Sequence, residues 1–232
     1  FYMQRGVPFK GTDFDGRSDY RAFIQNQIPA GGLFTGAEGI KTPEEAALWG
    51  GTAGYVFFAT SDDPFAQCRA GAVGGGDIGG PFSLIDKTGA TVTDTEILTK
   101  PSLVYFGYTF CPDVCPLDMA RNAEAVDLLQ SKGLSVAPVF ITIDPDRDTP
   151  QVVGEFAANI HPQAIGLTGS ADQVKAASQA YKTYYRKQEG DDPEFYLMDH
   201  STFTYLMLPE TGFADFFRRE DTAEQIADRT AC

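Results

Sequence analysis

A run of apolar and aromatic residues, Leu103 to Phe110, leads straight into Cys111-Pro112-Asp113-Val114-Cys115-Pro116. An apolar run without alternation predicts a strand covered on both faces. Proline is tolerated at the start of a helix but damages its interior. The following helix is therefore predicted to start at Pro116 and to end near Lys132, stopped by Gly133. A buried strand thus delivers two thiols to the mouth of a helix. On this reading Cys115 is the N-cap, where the positive end of the helix dipole favours a thiolate.

The flanking chain supplies the rest of a sheet. Phe82 to Asp86, a Lys87-Thr88-Gly89 turn and Thr91 to Thr93 predict a β-hairpin. Val139 to Ile143 reads as a second buried strand. Thr149-Pro150 opens a helix with Val153, Phe156, Ala157 and Ile160 on one face, and Ile165 to Leu167 is a short strand. Ser170-Ala171-Asp172-Gln173 is a capping box, and the helix after it turns Val174, Ala177, Tyr181 and Tyr184 inward. Phe195 to Met198 and Phe203 to Leu208 are expected to pair. Phe213 to Phe217 is a further strand, and a last helix starts near Asp221 or Thr222. In the helix after the cysteines, Met119, Ala123, Val126 and Leu129 form the inner stripe, with Asp118, Arg121, Asn122 and Glu124 mostly outside. Strands alternating with helices predict an α/β sheet covered by helices. A ligand site is then expected beyond the carboxyl end of a central strand, where Cys111 and Cys115 fall.

Before residue 81 the signals are weaker. Thr42-Pro43-Glu44-Glu45 reads as a helix start, and Tyr55 to Ala59 as a strand. Ala46 to Ala59 is too short and glycine-broken to span a membrane. It reads as ordinary core or as a membrane-proximal remnant. Gly74, Gly76 and Gly79 match a dinucleotide-binding spacing, but no strand precedes them and a strand follows. They read as a flexible linker. The expected division is an extension of unknown role over 1–70, a glycine-rich linker over 71–80 and a domain over 81–232. No signal peptide is read at the start, and no lipobox precedes Cys68. A net charge of −14 excludes nucleic acid as a partner, because nothing here neutralises a run of phosphates.

The four cysteines are Cys68, Cys111, Cys115 and Cys232. The outer two either close a long loop as a disulfide, which requires an oxidising compartment, or stay as unpaired thiols. The inner two suit disulfide exchange or a soft metal, and thiolate ligands select Cu(I), zinc or iron–sulfur clusters. A closed zinc site needs two more ligands, and the chain holds only His161 and His200. His161 precedes a proline at a predicted helix end and reads as a surface residue. His200, between two hydrophobic runs, is placed at a loop tip on a hairpin, open to a role as ligand or as plain loop residue. Met119 and Met198 read as core. Asp144 to Asp148 lies on the cysteine edge of the sheet. It reads either as a loop that shapes the site or meets a partner or, the favoured reading, as structural, with Arg147 pairing neighbouring carboxylates and holding the turn before the Thr149 N-cap.

The segment Tyr105 to Pro116 resembles the signature of the SCO/SenC family of copper chaperones. Asp144-Pro145-Asp146-Arg147-Asp148-Thr149-Pro150 resembles that family's second motif, and Asp199-His200-Ser201 its third. The likeness covers about residues 78 to 232. It implies a thioredoxin-like fold with an inserted hairpin, and one copper ion, Cu(I) or Cu(II), held by Cys111, Cys115 and His200. It implies assembly of the binuclear copper centre of cytochrome c oxidase, in the periplasm or an equivalent compartment and tethered to a membrane. Expected partners are the copper-accepting oxidase subunit and another copper chaperone or a thiol reductase. A second reading is a thiol–disulfide oxidoreductase in which Cys111 and Cys115 are the redox-active pair and reduce the acceptor's cysteines. A peroxide-reducing enzyme fits the four-residue spacing and the prolines poorly.

Overall fold

The computed structural model describes Cys68, residues 78–188 and residues 195–232, and its elements all lie in the compact unit Phe65–Cys232. The elements expected at Thr42 and Tyr55–Ala59, the stretch Ala46–Ala59, and Gly74 and Gly76 lie outside the described residues.

The strands are β1 (Ser83–Asp86), β2 (Thr91–Thr93), β3 (Ser102–Gly107), β4 (Ala137–Thr142), β5 (Ile165–Thr168), β6 (Tyr185–Lys187), β7 (Met198–His200), β8 (Thr204–Leu208) and β9 (Gly212–Phe217). The helices are α1 (Asp94–Ile97), α2 (Val114–Ser131), α3 (Pro150–Ile160), α4 (Ala171–Ala180) and α5 (Ala223–Ala231). Seven strands form one mixed sheet in the order β2-β1-β5-β4-β3-β8-β9, and β6 and β7 form a separate pair. β3 runs parallel to β4 and antiparallel to β8. This is an α/β sheet flanked by helices, with a hairpin at its start and a second hairpin inserted before β8.

Alternation along β3 sends side chains to two cores. Leu103 packs with Val126, Leu129, Leu206, Phe217 and Ile226, joining α2 and α5 to the sheet. Phe106 meets Tyr181 at 5.2 Å and Tyr205 at 6.3 Å between ring centroids, which seats the end of α4. Helix starts follow the sequence closely. Thr149 Oγ1 accepts from the Val152 N–H, and Ser170 and Thr222 each complete a capping box with a glutamine three residues on. Cys68 and Cys232 are joined as a disulfide.

Four expectations are corrected. β3 stops at Gly107 rather than Phe110, because Asp148 draws the chain away. Its carboxylate accepts from the Thr109 N–H at 3.0 Å and from the Thr109 and Thr142 hydroxyls. α2 begins at Val114, so Cys115 lies in the first turn and is not the N-cap, which is Asp113. Pro116, the third helical residue, is accommodated because first-turn N–H groups have no intrahelical partner. Asp118 and Asn122 are buried, not outside, since polar partners on the sheet receive them. Tyr184 lies past the end of α4, beyond the left-handed turn at Lys182, and is 56% exposed.

The expected pairing of Phe195–Met198 with Phe203–Leu208 also fails. β8 already has β3 on one edge and β9 on the other. No edge is left for β7, which pairs instead with β6 through Tyr185↔His200, Arg186↔Asp199 and Lys187↔Met198.

Asp148 is buried and satisfies groups on both the cysteine loop and β4. Asp148→Ala leaves those donors without an acceptor and is expected to lower unfolding stability by about 3 kcal/mol. Equilibrium urea unfolding measures this, and a loss under about 0.5 kcal/mol would contradict the clamp.

Candidate metal centre

Three ligand atoms converge where β3 ends. Cys111 Sγ, Cys115 Sγ and a ring nitrogen of His200 all lie within 4.8 Å of one another. Cys115 is fully buried beneath the half-buried Cys111, and His200 is partly exposed. The Cys115 N–H, at the start of α2, points to Cys111 Sγ at 3.3 Å. The Cys111 N–H donates to the Tyr108 carbonyl, also at 3.3 Å, closing the turn.

His200 comes from the other side. Its Nε2 lies 3.4 Å from Cys115 Sγ. Its Nδ1 lies 2.8 Å from the Ser201 carbonyl, which can only accept, so Nδ1 carries the proton in the neutral ring. Nε2 then presents a lone pair towards the sulfurs. The ring stands edge-on to Tyr105 at 6.3 Å and Tyr108 at 5.9 Å. His200 is therefore at the end of a short strand, not at a hairpin tip as expected.

The two thiols differ in proton affinity. The hydrogen bond from Cys115 pulls Cys111 down to about 4, helped by the backbone N–H groups of Cys115, Asp113 and Val114 and opposed by burial. Cys115 moves up, because it gives its hydrogen bond to Cys111 and because it is buried. The pair therefore favours the thiolate on Cys111 over one on Cys115. Beneath them, the Tyr105 hydroxyl donates to Asp118 Oδ2 at 3.0 Å. Arg121 and Arg219 reach Asp118 at 3.8 and 3.5 Å. Burial pushes the Asp118 carboxyl up, against both arginines.

The acidic loop pairs internally, as read from the sequence, and reaches further. Arg147 Nε lies 2.6 Å from Asp144 Oδ2, and its guanidinium covers the rings of Phe110 at 4.7 Å and Tyr196 at 3.6 Å. His161 is buried rather than on the surface, 3.2 Å from Asp127 and far in role from the thiols. It accepts at Nδ1 from the Gln163 N–H after α3 ends. Met119 and Met198 are core residues.

Tyr105 and Gly107 enter the sequence reading only as members of the signature run, and Asp144 only as part of the second motif, while Asp118 and Tyr196 are not placed at the site. A glycine inside a strand pattern signals a close approach, and at Gly107 the approach is the Cys115 sulfur. A Cβ there would stand 2.9 Å from Cys115 Sγ and from Tyr105 Cε1. The other contacts span long sequence separations and leave no local mark.

A family model described as SCO1/SenC matches residues 71–232. The chain belongs to the SCO1/SenC family. Protein SenC of Rhodobacter capsulatus is 55% identical over 171 residues, which are 73% of this chain and 77% of that protein. Among solved structures, Arabidopsis thaliana ScoI with copper bound is 43% identical with a TM-score of 0.62, covering 65% of this chain and 94% of that one. Yeast Sco1 with copper bound is 39% identical with a TM-score of 0.63, covering 67% and 87%. The fold shared with these relatives is thioredoxin-like, a central mixed sheet flanked by helices.

Gly107→Ala should drive Cys115 and Tyr105 apart and cost about 1–3 kcal/mol. The variant is expected to unfold at lower denaturant and to expose Cys115 to alkylation, read by mass spectrometry of reduced protein after a short iodoacetamide pulse. Wild-type protection of Cys115 would contradict the close approach.

Proposed function

We infer that this chain is a metallochaperone that carries one copper ion on Cys111, Cys115 and His200 and delivers it to the binuclear copper centre of cytochrome c oxidase. The observation that carries this reading is the convergence of two thiols and one imidazole from segments 85 residues apart in sequence. That donor set is soft and small, and suits Cu(I) while tolerating Cu(II). The copper-bound relatives support it.

Copper is the cargo. Handing it on needs few ligands and an approach from solvent, and the half-buried Cys111 and His200 leave one. Transfer proceeds by ligand exchange: an acceptor thiolate forms a bond to copper as one donor's bond to it breaks. The partner is the copper-accepting oxidase subunit, with another copper chaperone or a thiol reductase upstream. The Cys68–Cys232 disulfide supports an extracytoplasmic setting, the periplasm or its equivalent. Among the described residues no helix is long and apolar enough to cross a membrane. Membrane tethering is proposed for the full-length protein; this chain divides into an extension over 1–70, a glycine-rich linker over 71–80 and the copper-binding domain over 81–232.

A thiol–disulfide oxidoreductase is the second reading, and the asymmetry of the pair favours it. A half-exposed Cys111 above a buried Cys115 suits an attacking and a resolving thiol. His200 separates the two roles, because disulfide exchange has no need of it.

Anaerobic copper titration of protein with Cys111 and Cys115 reduced should find one tightly bound copper per chain. Cys111→Ala and Cys115→Ala should abolish both copper binding and exchange with a small disulfide. His200→Ala should weaken copper binding at least about a hundredfold, the order of about 3 kcal/mol, and leave exchange nearly intact. Copper binding indifferent to His200 would overturn the three-donor assignment and favour the oxidoreductase.

A further inference from the structure

We propose that Tyr196, gripped by Asp144 and Arg147, is a positioning residue that sets the distance of His200 from the two cysteines. The inference rests on the copper reading above and assigns a working part to the acidic loop.

His200 is carried by an element that the main sheet does not hold. β6 and β7 share three register pairs and pair with no other strand among the described residues. An isolated two-stranded hairpin is marginal in water. Its placement depends on side chains that reach across to the sheet. Tyr196 is one such side chain, four residues before His200, and it is buried while its neighbours Phe195 and Leu197 are 67% and 45% exposed.

Tyr196 is part of the main core cluster, and its hydrogen bond and cation–π contacts lead to the loop after β4 and to its own hairpin. Its hydroxyl donates to Asp144 Oδ1 at 2.7 Å. The second oxygen of the same carboxylate, Oδ2, takes Arg147 Nε at 2.6 Å. The Arg147 guanidinium then returns over the Tyr196 ring at 3.6 Å, and Lys187 of β6 places its ammonium 3.5 Å from that ring. Asp144 is itself fixed, since its N–H donates to Thr142 Oγ1 at 2.9 Å at the end of β4.

Arg147 also spans the two halves of the donor group. It covers Phe110, the residue before Cys111, at 4.7 Å and Tyr108 at 5.8 Å. Phe110 meets Phe195 at 6.2 Å. The cysteine loop and the histidine hairpin are thereby registered against one guanidinium. A charged hydrogen bond plus a stacked, partly buried cation is enough to bias a marginal hairpin between a seated and an unseated position. Seated, His200 Nε2 is within reach of Cys115 Sγ. Unseated, two thiols remain without the imidazole.

The test is a double-mutant cycle on the full chain, with copper alone as the probe. Tyr196→Phe keeps the ring and removes the hydroxyl; Arg147→Lys keeps the charge and removes the planar stack. Each variant is made with His200 present and in a His200→Ala background. Acting through His200, each should weaken copper binding about tenfold when His200 is present and less than twofold when it is absent. Cys111–Cys115 exchange with a small disulfide should stay within twofold of wild type. In copper-free protein, amide hydrogen exchange in β6 and β7 should quicken about tenfold, with β3 and β4 unchanged. Equal copper losses in both backgrounds, or no loss with His200 present, would overturn the proposal. If His200→Ala alone leaves copper binding unchanged, the copper reading fails, and the exchange data decide by themselves: wild-type protection of β6 and β7 in both variants overturns the latch.

Discussion

The donor group depends on a division between backbone and side-chain support. The two thiols stand at the junction of β3 and α2, elements bonded into the seven-stranded sheet or packed on it. The imidazole stands on a hairpin of three register pairs outside that sheet. A site built this way has one rigid half and one half that side chains must seat. Gly107 lets the buried sulfur of Cys115 lie against the strand end. Asp148 bends the chain after it, so that the Cys111 loop leaves the sheet where it does.

Two tyrosine rings line the imidazole, and the cationic groups Arg121 and Arg219 are spent on Asp118 beneath Tyr105. Arg147 is likewise engaged by Asp144 and three aromatic rings. The site therefore offers sulfur and nitrogen lone pairs in an apolar, aromatic frame. Such a frame favours a soft cation whose charge a thiolate offsets, over hard cations that demand oxygen ligands.

Much of this was legible from local pattern. Helix caps at Thr149, Ser170 and Thr222 and the hairpin at Lys87-Thr88-Gly89 follow from residue chemistry within a single turn. Cys111, Cys115 and His200 were singled out by residue type and resemblance, and the fold brings them together. What escaped the sequence was decided at a distance. Pro116 marks a first turn but cannot say which residue of it, so the helix start was placed two residues late. Nothing local shows that β8 is already paired on both edges, so β7 takes β6 as its partner against the sequence pattern. Asp118 and Asn122 look like surface residues until Tyr105 and Thr204 meet them from the sheet. Tyr196 looks like one more aromatic until Asp144, 52 residues earlier, accepts its hydrogen bond.

The central claim is that one copper ion sits between two sulfurs and one imidazole nitrogen. X-ray absorption at the copper K edge, on protein loaded with one Cu(I) per chain, reads those neighbours directly. The account predicts a three-coordinate edge, two sulfur scatterers and the outer-shell pattern of a single imidazole, which vanishes in His200→Ala. A spectrum of sulfur alone, or one unchanged by His200→Ala, would contradict it.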